Sequence, residues 1–433
     1  MAAPFSLGAA ESAPEPSVVA RAADQGILPG SSSALSAITY ARAQHGQRLP
    51  LADFPSDWAI RPAPYDAAAD YIAAVSAGRV EAWLDTLPPP DPRYGRLVRA
   101  YARYRAIADR GGWPPLTARS TLAPGAQGAE VDALRARLAI EDSNLPAPKP
   151  PGQADPPPTY DADLAAAVSR AQARYGLTPD GRAGHATITA LNAPVEARLV
   201  QIRANLERWR WAPRALPPFR IEVNTADASL ELFAPPAQTL AMRAIVGRAG
   251  KATPMFQDKV SAIVFNPPWN VPADIAAKEI WPKIRRNPDY MAREHFVVKP
   301  GGGLMQRPGP KCALGTIKFD LGNAFGVYLH DTPARSLFAL DRRALSHGCM
   351  RLADPTDLAR RLLAGDPDWP DTRINLTLLD GATVRAPLKN PTPVLIFYWT
   401  AFVDEDGGVQ FRPDVYGWDA KLSDLLARRG QAL

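Results

Sequence analysis

At 433 residues, with 46% hydrophobic and 22% charged side chains, the chain is long enough for two or three domains and apolar enough to give each a core. Its 50 Lys and Arg against 44 Asp and Glu leave a formal charge of +6, which favours anionic partners. No Lys/Arg-rich block interleaved with aromatics is present, so no nucleic-acid partner is expected, and no stretch approaches the apolar length of a membrane span.

The opening M-A-A-P-F-S-L-G-A-A-E-S lacks the basic start and apolar run of a signal peptide. Residues 1–117 are alanine-rich and punctuated by proline, with helical periodicity at 66–77 and 97–107. Between these, T-L-P-P-P-D-P-R-Y (86–94) must interrupt the helix, because proline removes an amide donor and disfavours helix at the residue before it. A helical scaffold domain is expected over 1–117. Its histidine, His45, stands without partners for chemistry and reads as a surface or satisfied side chain.

From 118 to 193 the pattern changes. A glycine turn leads into a helix with Val131, Leu134 and Leu138 at helical spacing, and a second helix over 160–175 carries Leu164, Val168 and Tyr175. The sequence G-L-T-P-D-G-R-A-G-H-A-T-I-T-A-L-N then supplies a loop and a third helix. With its paired glycine turn, Y-G-L helix end and D-G-x-x-G-x-x-T, this stretch resembles the small three-helix peptidoglycan-binding domain. Binding the wall polymer and bracing the rest of the protein both stay open. His185 reads as a capping or surface residue, since no carboxylate or cysteine cluster accompanies it. The proline-rich 145–158 is expected to be an extended or disordered loop.

A connecting helix is expected at 194–216, ending in Trp209, Arg210 and Trp211, with the tryptophans read as a clamp between the helical part and the domain that carries the chemistry. From Phe219 the period becomes alternating (R-I-E-V-N, S-L-E-L-F, 242–246, 262–265), which argues for a mainly β domain over 217–380. Within it, 275–290 begins as a helix and is basic, with Lys278, Lys283, Arg285 and Arg286. The tail, 381–433, is expected to pack on the scaffold.

The chemistry concentrates in Y-L-H-D-T-P (328–333) and L-S-H-G-C-M-R (345–351), which hold two of the five histidines and one of the two cysteines. A cysteine attacks as its thiolate, which needs an adjacent imidazole or helix N-terminus. His330 at the end of a buried strand supplies the first. For the second, Asp354 and Pro355 read as N-cap and first residue of a helix just after Cys349. Gly348 allows close approach of backbone to substrate, and the amides of Gly348 and Cys349 are candidate oxyanion donors.

These residues resemble the L,D-transpeptidase (YkuD-type) motif, a histidine followed after a variable gap by S/T-H-G-C-x-R or N. N-L-E-R-W-R-W (205–211), V-G-R with T-P (246–254), F-N-P-P-W-N-V-P (265–272), P-G-P-K-C-A-L-G-T-I-K-F (308–319), V-L-I-F-Y-W-T-A (394–401) and D-V-Y-G (414–417) extend the likeness to the proteobacterial YcbB-type subgroup. The resemblance implies an α+β multidomain protein whose catalytic domain is a β-sandwich with the cysteine at one edge, and a cap over the active site. Here that cap, 273–307, is shorter than the subgroup's, which leaves the donor cleft more open.

It also implies a reaction without cofactor or metal. His330 takes the proton of Cys349, and the thiolate attacks an L-residue carbonyl in a peptidoglycan stem, expelling the following D-residue. A stem-peptide amine then attacks the thioester. Tyr328 is a further oxyanion candidate, the carbonyl of Asp331 or its neighbour an orienting group for His330, and His347 shapes the turn; the implied catalytic set is Cys349, His330, Gly348 and His347, and the implied substrate-binding set Tyr328, Arg351, Asp331 and Ser346. Arg351 binds a substrate carboxylate or braces the loop. The products implied are 3-3 cross-links, with 1-3 links open because of the short cap, and carbapenem-type β-lactams are expected covalent inhibitors. The implied location is the periplasm, a secretion signal having been removed. The alternatives are an L,D-carboxypeptidase or cross-link hydrolase using the same cysteine, and a wall-binding scaffold. Cys312 reads as a small buried hydrophobe, and a zinc site from His330, His347 and Cys349 has no supporting spacing.

Overall fold

In a computed structural model, residues 16–27, 36–118, 120–145 and 159–433 are described. The opening segment and, apart from Leu145, the proline-rich loop lie outside them. The chain divides into two units: one drawn from the residues up to Phe54, Ile60–Ala215 and Trp399–Leu433, the other from Pro55–Ala59 and Leu216–Tyr398.

The first unit is helical for reasons visible in its caps. Asp66 accepts the amides of Ala68 and Ala69 to start Ala67–Ser76, and after the prolines that end Val80–Thr86, Asp91 caps a new helix at Pro92 that runs to Asp109. The three-helix module comprises Ala129–Ala139, Ala162–Arg174 and His185–Leu191, and buries Val131, Leu134, Leu138, Leu164 and Val168 completely. His185 is exposed in the first turn of the third helix. His45 is stacked on Tyr65 with centroids 3.4 Å apart, and burial pushes its imidazole down to about 4.

The helix Val195–Trp211 departs from the expectation of an aromatic seam. Trp209 does stack, on Trp399 at 4.7 Å, and Trp211 meets Phe54 edge-on, so both pack inside this unit. Asn205, Glu207, Arg208 and Arg210 are equally buried. Glu207 Oε2 accepts from Arg48 (3.1 Å) and Arg210 (2.9 Å), and Asn205 Nδ2 donates to Thr400 Oγ1 (2.7 Å). Breaking such a buried set by removing one partner costs about 3–5 kcal/mol.

The second unit is built on strands β1 (Arg220–Asn224), β2 (Ser229–Phe233), β3 (Leu240–Gly247), β4 (Phe256–Phe265), β5 (Trp269–Asn270), β6 (Phe296–Val298), β7 (Leu304–Gln306), β8 (Ile317–Leu321), β9 (Leu329–His330), β10 (Ala344–Ser346), β11 (Met350–Leu352) and β12 (Val384–Phe397). Nine form one sheet in the order β10-β3-β11-β9-β8-β4-β12-β1-β2. It curls back on itself through β3, which pairs with β2 along Leu240–Arg243 and with β11 at Ala244 and Ile245. Alternate residues of the strands, among them Ile221, Leu230, Ile263, Phe319, Leu329 and Met350, fill the enclosed core.

Two expectations change here. The boundary at 380 is too early, because β12 lies at the heart of the sheet, antiparallel to β4 and parallel to β1 (Ile221 beside Val394). Its Pro387, Pro391 and Pro393 conceal it in the sequence; they are tolerated around an interruption of the β4 register between Pro387 and Thr392. The tail proper therefore starts at Trp399. The cap over 273–307 is also more than a basic helix. A π-helical turn, Ala276–Ile280, lies between the helical segments Ala273–Ile275 and Trp281–Arg286, and Ala276, Ile280, Phe296 and Leu304 form a small core beside the three-stranded sheet β5-β7-β6.

Candidate active site

Strand register assembles the site. β9 and β11 run parallel with Leu329 beside Met350 and His330 beside Arg351, and Lys318 of β8 pairs with His330 from the other side. Leu329, Met350 and Phe319 point into the core with no exposure. Alternation then puts Tyr328, His330, Cys349, Arg351 and Lys318 together on the opposite face.

His330 is buried and held by its own backbone: Nδ1–H donates to the Asp331 carbonyl at 2.5 Å, which leaves the Nε2 lone pair as the basic position. Burial, then the Arg351 charge, depress its pKa to about 3, against the pull of the Asp331 and Leu314 carbonyls. The Asp331 carbonyl thus occupies the expected orienting position. The Asp331 carboxylate does not face outward to a substrate; it accepts from the Thr316 amide (2.9 Å) and hydroxyl (3.0 Å) and from Arg335 (3.0 Å).

Cys349 Sγ lies 3.9 Å from the Gly326 carbonyl and against Tyr328, without a hydrogen bond to His330. Burial raises the thiol, while the Tyr328 amide and hydroxyl and the charges of Lys318 and Arg351 act the other way. Burial and the neighbouring Cys349 push the Tyr328 phenol up, and the Lys318 ammonium sits 4.6 Å from its ring centroid. No helix dipole reaches the thiol at close range, because β11 intervenes: Met350 and Leu352 continue a strand into the core before Asp354 caps Pro355–Leu362.

The turn carrying the cysteine is fixed by hydroxyls. Ser346 Oγ donates to the Cys349 carbonyl (2.6 Å) and accepts the Gly348 amide (3.1 Å). Gly348 is therefore not a free oxyanion donor, which leaves the Cys349 amide and the Tyr328 hydroxyl. Thr253 Oγ1 bridges the same turn, donating to the Gly348 carbonyl (2.7 Å) and accepting the Gly247 amide (2.9 Å). Gly348 has φ +123°, a conformation that side chains disfavour, and a Cβ on Gly247 would lie 2.2 Å from the Lys251 carbonyl. His347 turns toward the cap, with Nε2 2.6 Å from Glu279 Oε1 and 3.1 Å from an Arg248 nitrogen. Arg351 keeps a buried Nε without a hydrogen bond among the described residues. Cys312 is buried, its thiol 3.3 Å from the Pro267 carbonyl and raised by burial. Among the described residues no cluster of three His, Cys, Asp or Glu could hold a metal ion, and no helix is long and apolar enough to cross a membrane.

His330, Ser346, His347, Gly348, Cys349 and Arg351 stand out in the sequence, whereas Thr253, Lys318 and Glu279 take their places at the site only through the fold. Thr253 stood in a recognised T-P pair. Lys318 could have been placed by strand alternation, whereas nothing in the sequence brings Glu279 to the turn.

Residues 218–373 match the family model "YkuD: L,D-transpeptidase catalytic domain", and 127–191 match "Putative peptidoglycan binding domain". A Haemophilus influenzae protein named "Putative L,D-transpeptidase" is 32% identical over 231 residues, 48% of this chain and 47% of that protein, so the match spans about half the relative's length. Among solved structures, L,D-transpeptidase 3 from Mycobacterium tuberculosis with a faropenem-derived adduct is similar at 15% identity and TM-score 0.21, over 42% of this chain and 60% of that one. An L,D-transpeptidase from Xylanimonas cellulosilytica is similar at 16% identity and TM-score 0.21, over 66% and 100%. Overlap at that level adds nothing to the fold.

Proposed function

We propose that this chain cross-links peptidoglycan stem peptides through a Cys349 thioester, a reading supported by the match of residues 218–373 to the YkuD L,D-transpeptidase catalytic domain and of 127–191 to a peptidoglycan-binding domain. The observation that carries the reading is the β9–β11 register, which sets a neutral imidazole and a thiol on one face beside Tyr328 and Arg351.

His330 Nε2 takes the thiol proton. A thiolate formed beside it raises its basicity by charge pairing, so the two events support one another. The thiolate attacks the carbonyl of an L-residue in the donor stem and expels the D-residue that follows it. The Cys349 amide and Tyr328 hydroxyl receive the developing oxyanion, and the half-buried Arg351 guanidinium beside them is the group for a substrate carboxylate. An acceptor amine resolves the thioester as a 3-3 link, or a 1-3 link if the donor carbonyl is that of the first-position alanine. On this reading the protein works outside the cytoplasmic membrane, in the periplasm, and carbapenem-type β-lactams acylate the same sulfur.

The test is incubation of the enzyme and of Cys349→Ala with purified disaccharide-tetrapeptide, then mass spectrometry with fragmentation. A cysteine-dependent dimer lacking one terminal D-alanine supports 3-3 transfer, and a dimer joined through the first-position alanine supports 1-3 transfer. Tripeptide monomer alone would replace the proposal with a carboxypeptidase. No turnover with retained binding to sacculi would replace it with a scaffold.

A further inference from the structure

Transpeptidation through a thioester poses two proton problems, and His330 is placed for one. The thiol must lose a proton for acylation; the acceptor, an ammonium at neutral pH, must lose another before its nitrogen can attack. The site contains a second imidazole in a different setting. His347 Nε2 lies 2.6 Å from Glu279 Oε1, and the residue is partly exposed, with 27% of its side chain accessible. Nε2 faces two groups with opposite demands, the Glu279 carboxylate, which accepts, and an Arg248 nitrogen at 3.1 Å, which can only donate; the shorter contact, to Glu279, sets the proton on Nε2 and the basic lone pair on Nδ1, which makes no hydrogen bond among the described residues.

We propose that His347, oriented by Glu279, is the base that deprotonates the incoming amine in the second half of the reaction. Glu279 is a positioning residue: it fixes the tautomer and stabilises the imidazolium that forms, the role a carboxylate plays behind any catalytic histidine. Its own placement is built in. The π-helical turn buries Ala276 and Ile280 in the cap core and leaves Glu279 directed at His347, and such turns often mark functional positions. Arg248 is the other charged group facing the ring, at 3.1 Å from Nε2 and 4.0 Å from Glu279, and Lys251 pairs with Asp274 at 3.2 Å nearby. Half-exposed ion pairs of this kind contribute little as mechanical latches, which favours a chemical role.

His347 Nδ1 accepts one proton from the ammonium, and the freed nitrogen attacks the thioester carbonyl. The tetrahedral adduct collapses with cleavage of the C–S bond; the departing thiolate takes the surplus proton from nitrogen, giving an amide and a neutral thiol. His347 returns its proton to solvent.

This inference rests on the transpeptidase reading, and the experiment separates the two. In full-length protein, rapid quench and mass spectrometry track thioester formation from tetrapeptide donor, then its consumption by added acceptor stem, for wild type, Glu279→Gln and Glu279→Asp across pH. The expected result for Glu279→Gln is acylation within about threefold of wild type and amine-dependent consumption slowed about tenfold or more. Glu279→Asp should restore most of the rate. Equal losses in both half-reactions, or no loss in either, would overturn the assignment of His347 as acceptor base while leaving the transpeptidase reading intact. A wild type that forms no thioester would remove both.

Discussion

The resting state of the Cys349–His330 pair is open to direct measurement by changing pH. His330 is set near 3 against an ordinary 6.5, and the Cys349 thiol stands above its ordinary 9.0. Both groups are then neutral at rest, and the thiolate amounts to less than about one molecule in a hundred at pH 7. Alkylation by iodoacetamide should therefore climb about tenfold per pH unit between roughly pH 6 and 8, with no plateau. The same shift has a stability consequence. A folded pKa below the unfolded one means that the contribution of neutral His330 is fully present above 6.5 and is lost as pH falls toward 3, at about 1.4 kcal/mol per pH unit. Carbon-labelled histidine, with five ring signals and a His330→Gln variant for assignment, gives the titration by nuclear magnetic resonance. Unfolding of wild type and His330→Gln across the acid range gives the linkage. An imidazole assigned to His330 that titrates between about 6 and 7.5, or an alkylation plateau below about pH 7, would refute the reasoning and indicate a preformed ion pair.

Three further outcomes are expected. Thr253→Val keeps shape but removes the hydroxyl between the Gly247 amide and the Gly348 carbonyl; two buried bonds at about 1–1.5 kcal/mol each predict about 2–3 kcal/mol of local destabilisation, read as faster amide exchange in the Cys349 turn together with slower acylation. Asp331→Asn should leave the donor KM within about twofold, because its backbone carbonyl, not its carboxylate, orients His330; steady-state kinetics check this, and a large rise in KM would return the carboxylate to a substrate-binding role. Glu141→Gln, in the three-helix module, strands the buried Arg137 guanidinium 2.7 Å away and should cost about 3–5 kcal/mol in thermal or urea unfolding.

The candidate turn was legible because its residues are contiguous. Ser346, His347, Gly348 and Cys349 are consecutive, and the capping pair Asp354 and Pro355 announces the next helix. The residues between them were harder to read: Met350–Leu352 is too short to show strand periodicity, so Cys349 looked closer to a helix dipole than it is. Strand β12 was hidden by its prolines. The buried charges of Arg48, Glu207, Arg208 and Arg210 were invisible because their burial depends on partners far along the chain, and sequence alone assigns such residues to solvent. Glu279 belongs to the same class, since its meeting with His347 is a tertiary event.

The placement of β12 also bears on how this catalytic module can be handled, in the cell or at the bench. β4 and β1 are synthesised long before the strand that joins them, so the nascent chain carries two unpaired sheet edges until residue 397 has emerged, and a fragment ending at 373 or 380 would carry them permanently as sites for aggregation. The module also takes in Pro55–Ala59, where the Asp57 carbonyl and the Ala59 amide bond to Met255 on the approach to β4. It is thus discontinuous, beginning before most of the helical unit and ending after the turn that carries Cys349. Such a module cannot be exchanged between proteins as one uninterrupted cassette; a functional graft must carry both flanking pieces.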